Sequence, residues 1–123
     1  MLQIAPDKIA HIIIRAREYD SNVDAWANNG HRRQYGTRTE LHDFIESLNE
    51  DEQASLVAVM WIGRESFDAE DLDEAIATAR AEKTTPTEDY LMGEPQLADY
   101  LEAGMEELGL SPEEAEADLQ KPV

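Results

Sequence analysis

Leu56-Val57-Ala58-Val59-Met60-Trp61-Ile62 runs seven residues without a charged or amide side chain. A helix at a protein surface keeps one face polar, so a segment apolar on every side belongs to a helix that its neighbours cover. Asn49, followed three residues later by Glu52, supplies the start signal: a capping box in which each side chain satisfies a free backbone N–H of the other residue. Gly63 stands where a left-handed residue would close the helix. A buried central helix over about 51–63 is therefore predicted, and the rest of the chain has to provide its cover.

That cover reads as amphipathic helices on both sides. Upstream, Pro6 suits a first helical position and Asp7 the positive end of the helix dipole. Ile9, Ile12, Ile13 and Ala16 then recur at i, i+3, i+4 and i+7, one apolar face. The β-branched run Ile12-Ile13-Ile14 also suits a strand, but no second strand is there to pair with it. Thr37 with Glu40 forms another capping box, followed by the stripe Leu41, Phe44, Ile45 and Leu48. Downstream, Asp68 opens a helix whose inward residues are Leu72, Ala75, Ile76 and Ala79. Thr85-Pro86-Thr87-Glu88 starts a short helix that reaches Tyr90 and Leu91 and stops at Gly93. Pro95 starts the next, with Leu97, Leu101, Gly104, Met105 and Leu108 on one face and Gly109 past its end. The expected fold is all-α, a compact bundle of five to six helices around the central one. One domain would span 1–110, with 111–123 an acidic tail. Residues 20–36, which hold Asn28-Asn29-Gly30 and Gly36 and show no period, read as a long connection, a kind usually functional or mobile.

Charge narrows the functional classes. The 123 residues carry 10 basic against 28 acidic groups, a net of −18. Residues 1–64 hold 7 basic and 10 acidic groups, residues 65–123 hold 3 and 18, and five of the basic ones lie between Arg15 and Arg38. The acidic half would repel nucleic acid and anionic lipid. No apolar run approaches the ~20 residues of a membrane span, and the N-terminus lacks a secretory pattern. With no cysteine in the chain, disulfide and thiolate chemistry are excluded. A cytoplasmic protein is the expectation.

Three stretches carry a resemblance: Ile12-Ile13-Ile14-Arg15-Ala16-Arg17-Glu18-Tyr19-Asp20, then Leu56 through Met60-Trp61-Ile62-Gly63-Arg64, then Tyr90-Leu91-Met92-Gly93 with Leu97-Ala98-Asp99-Tyr100-Leu101-Glu102-Ala103-Gly104. In this order they resemble an uncharacterised bacterial family, a domain of unknown function, over residues 7 to 110. The segment ending Trp61-Ile62-Gly63-Arg64 is the most distinctive. The resemblance implies a small helical bacterial protein and assigns no residue roles.

The strongest candidate site is the segment with Trp26, His31, Arg32, Arg33, Tyr35 and Arg38. Arginine forks beside aromatic rings suit phosphate groups, stacked bases or acidic peptide motifs. A helix starting near Thr37 would add free N–H groups. The plainer reading pairs these arginines with the chain's own carboxylates. Histidine comes next, since a transition metal here needs imidazole or carboxylate ligands. His11, Arg15 and Glu18 share a polar stripe, and His42 and Glu46 are an i, i+4 pair that His31 would complete. No His-Glu-x-x-His motif is present, and all these residues also suit a solvated face. Arg64 would cap the carbonyls before it or bind an anion beside Trp61, itself expected in the core. The carboxylates of 65–118 read as a solvated face, a surface for a basic partner or a phosphate mimic. Asp68 to Asp73 lacks the glycine and closing glutamate of a calcium loop, and no nucleophile elbow or phosphate loop is present.

The reading is a non-enzymatic interaction module with a protein partner, no cofactor and no metal. The rival class is a small metal-dependent enzyme using His11, His31 and His42 with Glu18 or Glu46. A homodimer through Tyr90, Leu91, Met92 and Tyr100 stays open.

Overall fold

The computed structural model describes the backbone of residues 2–26 and 31–111, and the side chains of 2–18 and 39–111. The elements are α1 (Pro6–Trp26), α2 (His31–Ser47), α3 (Glu50–Gly63), a 3-10 turn (Ala69–Asp71), α4 (Leu72–Ala81), α5 (Thr87–Met92) and α6 (Leu97–Glu107), with no strand among the described residues.

α3 is the buried helix that its apolar run predicts. Its nine residues Gln53 to Met60 and Ile62 are all buried. Asn49 and Glu52 form the full capping box: the Asn49 side chain accepts from Glu52 N–H at 2.8 Å, and Asn49 N–H donates to the Glu52 carboxylate at 3.1 Å. α3 is apolar all round because it serves two cores. Leu56, Val57, Val59 and Met60 join Ile9, Ile12 and Ile13 of α1, Leu41 and Ile45 of α2, Leu91 of α5, and Leu97, Leu101 and Met105 of α6. Ala54 and Ala58 join Ala75 and Ile76 of α4, with Leu72, Phe67 and Ala79 against them. α3 packs chiefly on α6 and α4, while α1 packs on α2 and α6, and α2 on α5.

The α3–α6 contact is a backbone-to-backbone approach. A Cβ on Gly63 would sit 1.7 Å from the Tyr100 carbonyl oxygen, and one on Gly104 would sit 2.1 Å from that of Val59. Only glycine lets two helices come this close. The expectation that Gly63 closes α3 in a left-handed conformation is thereby corrected. Gly63 is the last helical residue, Arg64 follows at φ −82°, and the left-handed residue is Glu65 at φ 68°. Ser66 N–H then reaches back to Trp61 O at 2.9 Å and Glu65 N–H to Ile62 O at 3.0 Å, the bond pair that satisfies the last carbonyls.

Two further expectations change. α1 continues through Trp26 and α2 begins at His31, so 20–36 is not one long connection and Thr37 lies inside a helix rather than at its start. The reason is energetic: neither 20–26 nor 31–36 contains proline, and a glycine such as Gly36 costs only about 1 kcal/mol within a helix. Packing of α1 on α2 outweighs that. Similarly, the last long helix starts at Leu97 rather than Pro95. Of the acidic tail expected at 111–123, all but Ser111 lies outside the described residues.

Candidate functional site

Of the site predicted first, only the backbone can be placed. Trp26 is the last residue of α1; His31, Arg32 and Arg33 form the first turn of α2; Tyr35 and Arg38 follow within it. Their side chains lie outside the described residues. The first turn of α2 contains no acid, whereas α1 opens with Asp7, α3 with Glu50, Asp51 and Glu52, α4 with Asp73 and Glu74, α5 with Glu88 and Asp89, and α6 with Asp99.

The histidines separate. His11, on α1, packs its ring on Phe44 of α2 with centroids 4.5 Å apart. Burial, and next the charge of Arg15, push its pKa below the usual histidine value, in keeping with a ring packed between two helices. Its stripe partners pair with each other: Arg15 bonds Glu18 at 3.0 Å and approaches Glu40 at 3.4 Å. His42 faces the other way, toward α5. Its Nδ1 lies 3.4 Å from the carboxylate of Asp43 and its Nε2 3.3 Å from that of Asp89. Bonding to Asp43, with further contributions from Asp89 and Glu46, raises its pKa. Glu46, one turn along α2, and Glu88, in the first turn of α5, complete a group in which one donor atom per residue lies within 4.8 Å of the others. The i, i+4 pair was visible in the sequence. Among the described residues its third member is not His11 but Glu88, 42 positions beyond Glu46, which helix packing supplies; the His31 side chain lies outside them.

A second feature went unread. Trp61 is only partly buried: its ring stacks on Phe67 at 5.6 Å and 18°, and its N–H donates to the Tyr90 hydroxyl at 3.0 Å. Together with Val57, Ala79, Glu82, Lys83, Thr84, Thr85 and Thr87, the rings of Trp61 and Tyr90 line an open cleft of about 240 Å³. The signal available was the indole N–H, which seeks an acceptor when it packs. Lys83 points its ammonium at the Gln53 side-chain oxygen, 3.4 Å away, and forms no ion pair among the described residues. Tyr90 is exposed, while Leu91 is fully buried and Met92 and Tyr100 are partly buried against the main core, so most of the apolar group considered for a dimer is already covered by the chain itself. Arg64 caps α3 through its backbone, N–H to Met60 O at 2.9 Å, and its side chain bonds Ser66 at 3.1 Å.

Other basic groups meet the chain's own carboxylates: Arg17 with Glu102 at 3.0 Å and Asp99 at 3.7 Å, Lys8 with Glu52, and Arg80 with Asp51. No described helix is long and apolar enough to cross a membrane.

Fold and surface thus define an all-helical protein built on one buried helix, with a strongly acidic sequence and an anomalously basic helix start. The model of a family described as "Protein of unknown function (DUF3775)" matches residues 38–110, more than half of the chain, and the chain belongs to that family. No curated protein and no solved structure matches it.

Proposed function

We propose that the chain is a non-enzymatic interaction module of the bacterial cytoplasm, a single helical domain over 1–110 with an acidic tail at 111–123. The reading rests on one observation, the charge at the helix starts. Free N–H groups at a helix N-terminus favour negative charge, and every other described helix supplies its own acid there. α2 instead opens with His31, Arg32 and Arg33 and has no acid. An anion from outside, a phosphate group or an acidic peptide, completes that turn, with Trp26, Tyr35 and Arg38 beside it in sequence. The exposed carboxylates of α4 to α6 are the second surface, complementary to a basic partner protein and repulsive to nucleic acid.

The rival reading as a small metal-dependent enzyme needs three of His11, His31, His42, Glu18 and Glu46 to converge. Among the described residues only His42 and Glu46 of that set meet.

Titration with inorganic phosphate and with a glutamate-rich peptide tests the proposal. Two charge-assisted bonds are worth about 1.5–3 kcal/mol each. The Arg32→Ala/Arg33→Ala double variant should therefore bind more weakly by about a hundredfold or more. Its helicity and melting temperature should stay nearly unchanged. Equal affinity in the variant, or no binding by the parent chain, refutes the reading.

A further inference from the structure

We propose that His42, Glu46 and Glu88 bind one divalent transition-metal ion, tying α5 to α2. His42 and Glu46 project from one face of α2, a turn apart. Glu88 comes from α5, which packs on that helix. The three donor atoms already lie within 4.8 Å of one another. Ligands held at ~2.0–2.2 Å around a tetrahedral ion are roughly 3.4 Å apart. Rotation of two glutamate side chains, one exposed and one half-buried, covers the difference without moving a helix.

The surroundings fit an ion better than a chance meeting of acids. A metal-bound histidine characteristically gives its other ring nitrogen to a carboxylate, which fixes the ring and raises its basicity. His42 has a carboxylate at each nitrogen, Asp43 at Nδ1 and Asp89 at Nε2, so whichever nitrogen takes the metal, the other keeps such a partner. Neither Glu46 nor Glu88 forms an ion pair among the described residues. Lys83 lines the same hollow, but its ammonium is held by Gln53. One imidazole with two carboxylates selects zinc-like ions over magnesium or calcium, which favour all-oxygen shells. Three protein ligands leave at least one position for water.

Calorimetric titration of the full chain with zinc chloride, at a pH where His42 is neutral, tests the site independently of Arg32 and Arg33. One equivalent should bind, and excess magnesium should not displace it. His42→Ala and Glu88→Gln should each weaken binding by at least about tenfold, while His11→Ala leaves it unchanged. Circular dichroism of the metal-free variants confirms folding, and the exposed Glu46→Gln serves if His42→Ala does not fold. Binding should weaken on acidification, since protons compete with the metal for the imidazole and the two carboxylates. Absence of binding overturns the proposal. So does uptake of several ions at the same affinity in His42→Ala, which would mark a diffuse attraction to an acidic surface.

Discussion

α3 and α6 close with the same hydrogen bonds and different residues. At the end of α3, Ser66 N–H reaches Trp61 O and Glu65 N–H reaches Ile62 O; at the end of α6, Leu110 N–H reaches Met105 O at 2.8 Å and Gly109 N–H reaches Glu106 O at 3.0 Å. The left-handed seat is taken by Gly109 at φ 79° in one and by Glu65 at φ 68° in the other. α3 does have a glycine near its end, but Gly63 is two residues too early for the turn and is needed where α6 crosses. Two glycines thus sit at the crossing and one at a turn, and the remaining turn makes do with a side chain that costs it roughly 1–2 kcal/mol.

Substitutions at the four positions separate these roles. Gly63→Ala and Gly104→Ala should do most harm, about 3 kcal/mol or more each, because the added methyl meets the backbone of the opposite helix and can be accommodated only by parting α3 from α6. One separation relieves both clashes, so denaturant titration of the double variant should show a loss well below the sum. Gly109→Ala has open space around its Cβ and should lose only the conformational cost, about 1–2 kcal/mol. Glu65→Gly should gain about 1 kcal/mol by relieving the same cost at the α3 end. If Gly63→Ala and Gly109→Ala melted alike, the distinction between crossing and turn would fail.

Local pattern made the helices legible. The stripe Ile9, Ile12, Ile13, Ala16 is buried as its period requires, Pro6 begins α1, and the box of Asn49 and Glu52 begins α3. What the pattern misplaced depends on contacts distant in sequence. Gly36 reads as a breaker, yet α2 runs through it, and α1 and α2 each extend into the stretch read as a connection; Asn28-Asn29-Gly30 lie outside the described residues. Gly63 looks like a cap until Tyr100 is seen against it. Two of the three members of the proposed metal group, His42 and Glu46, are legible as a one-turn pair, whereas Glu88 enters only through the docking of a six-residue helix. The arginines were found by composition, and the helix start that gives them meaning was masked by a stronger-looking capping box at Thr37.

Trp61 leaves the molecule with an optical gauge. Its indole belongs to α3, lies on Phe67 ahead of α4, and bonds Tyr90 of α5, so its fluorescence depends on three segments being seated at once. The bond to Tyr90 lies on the same short helix as Glu88. Whatever fastens or loosens α5 is thereby written into the emission of a residue the chain already carries, with no label attached.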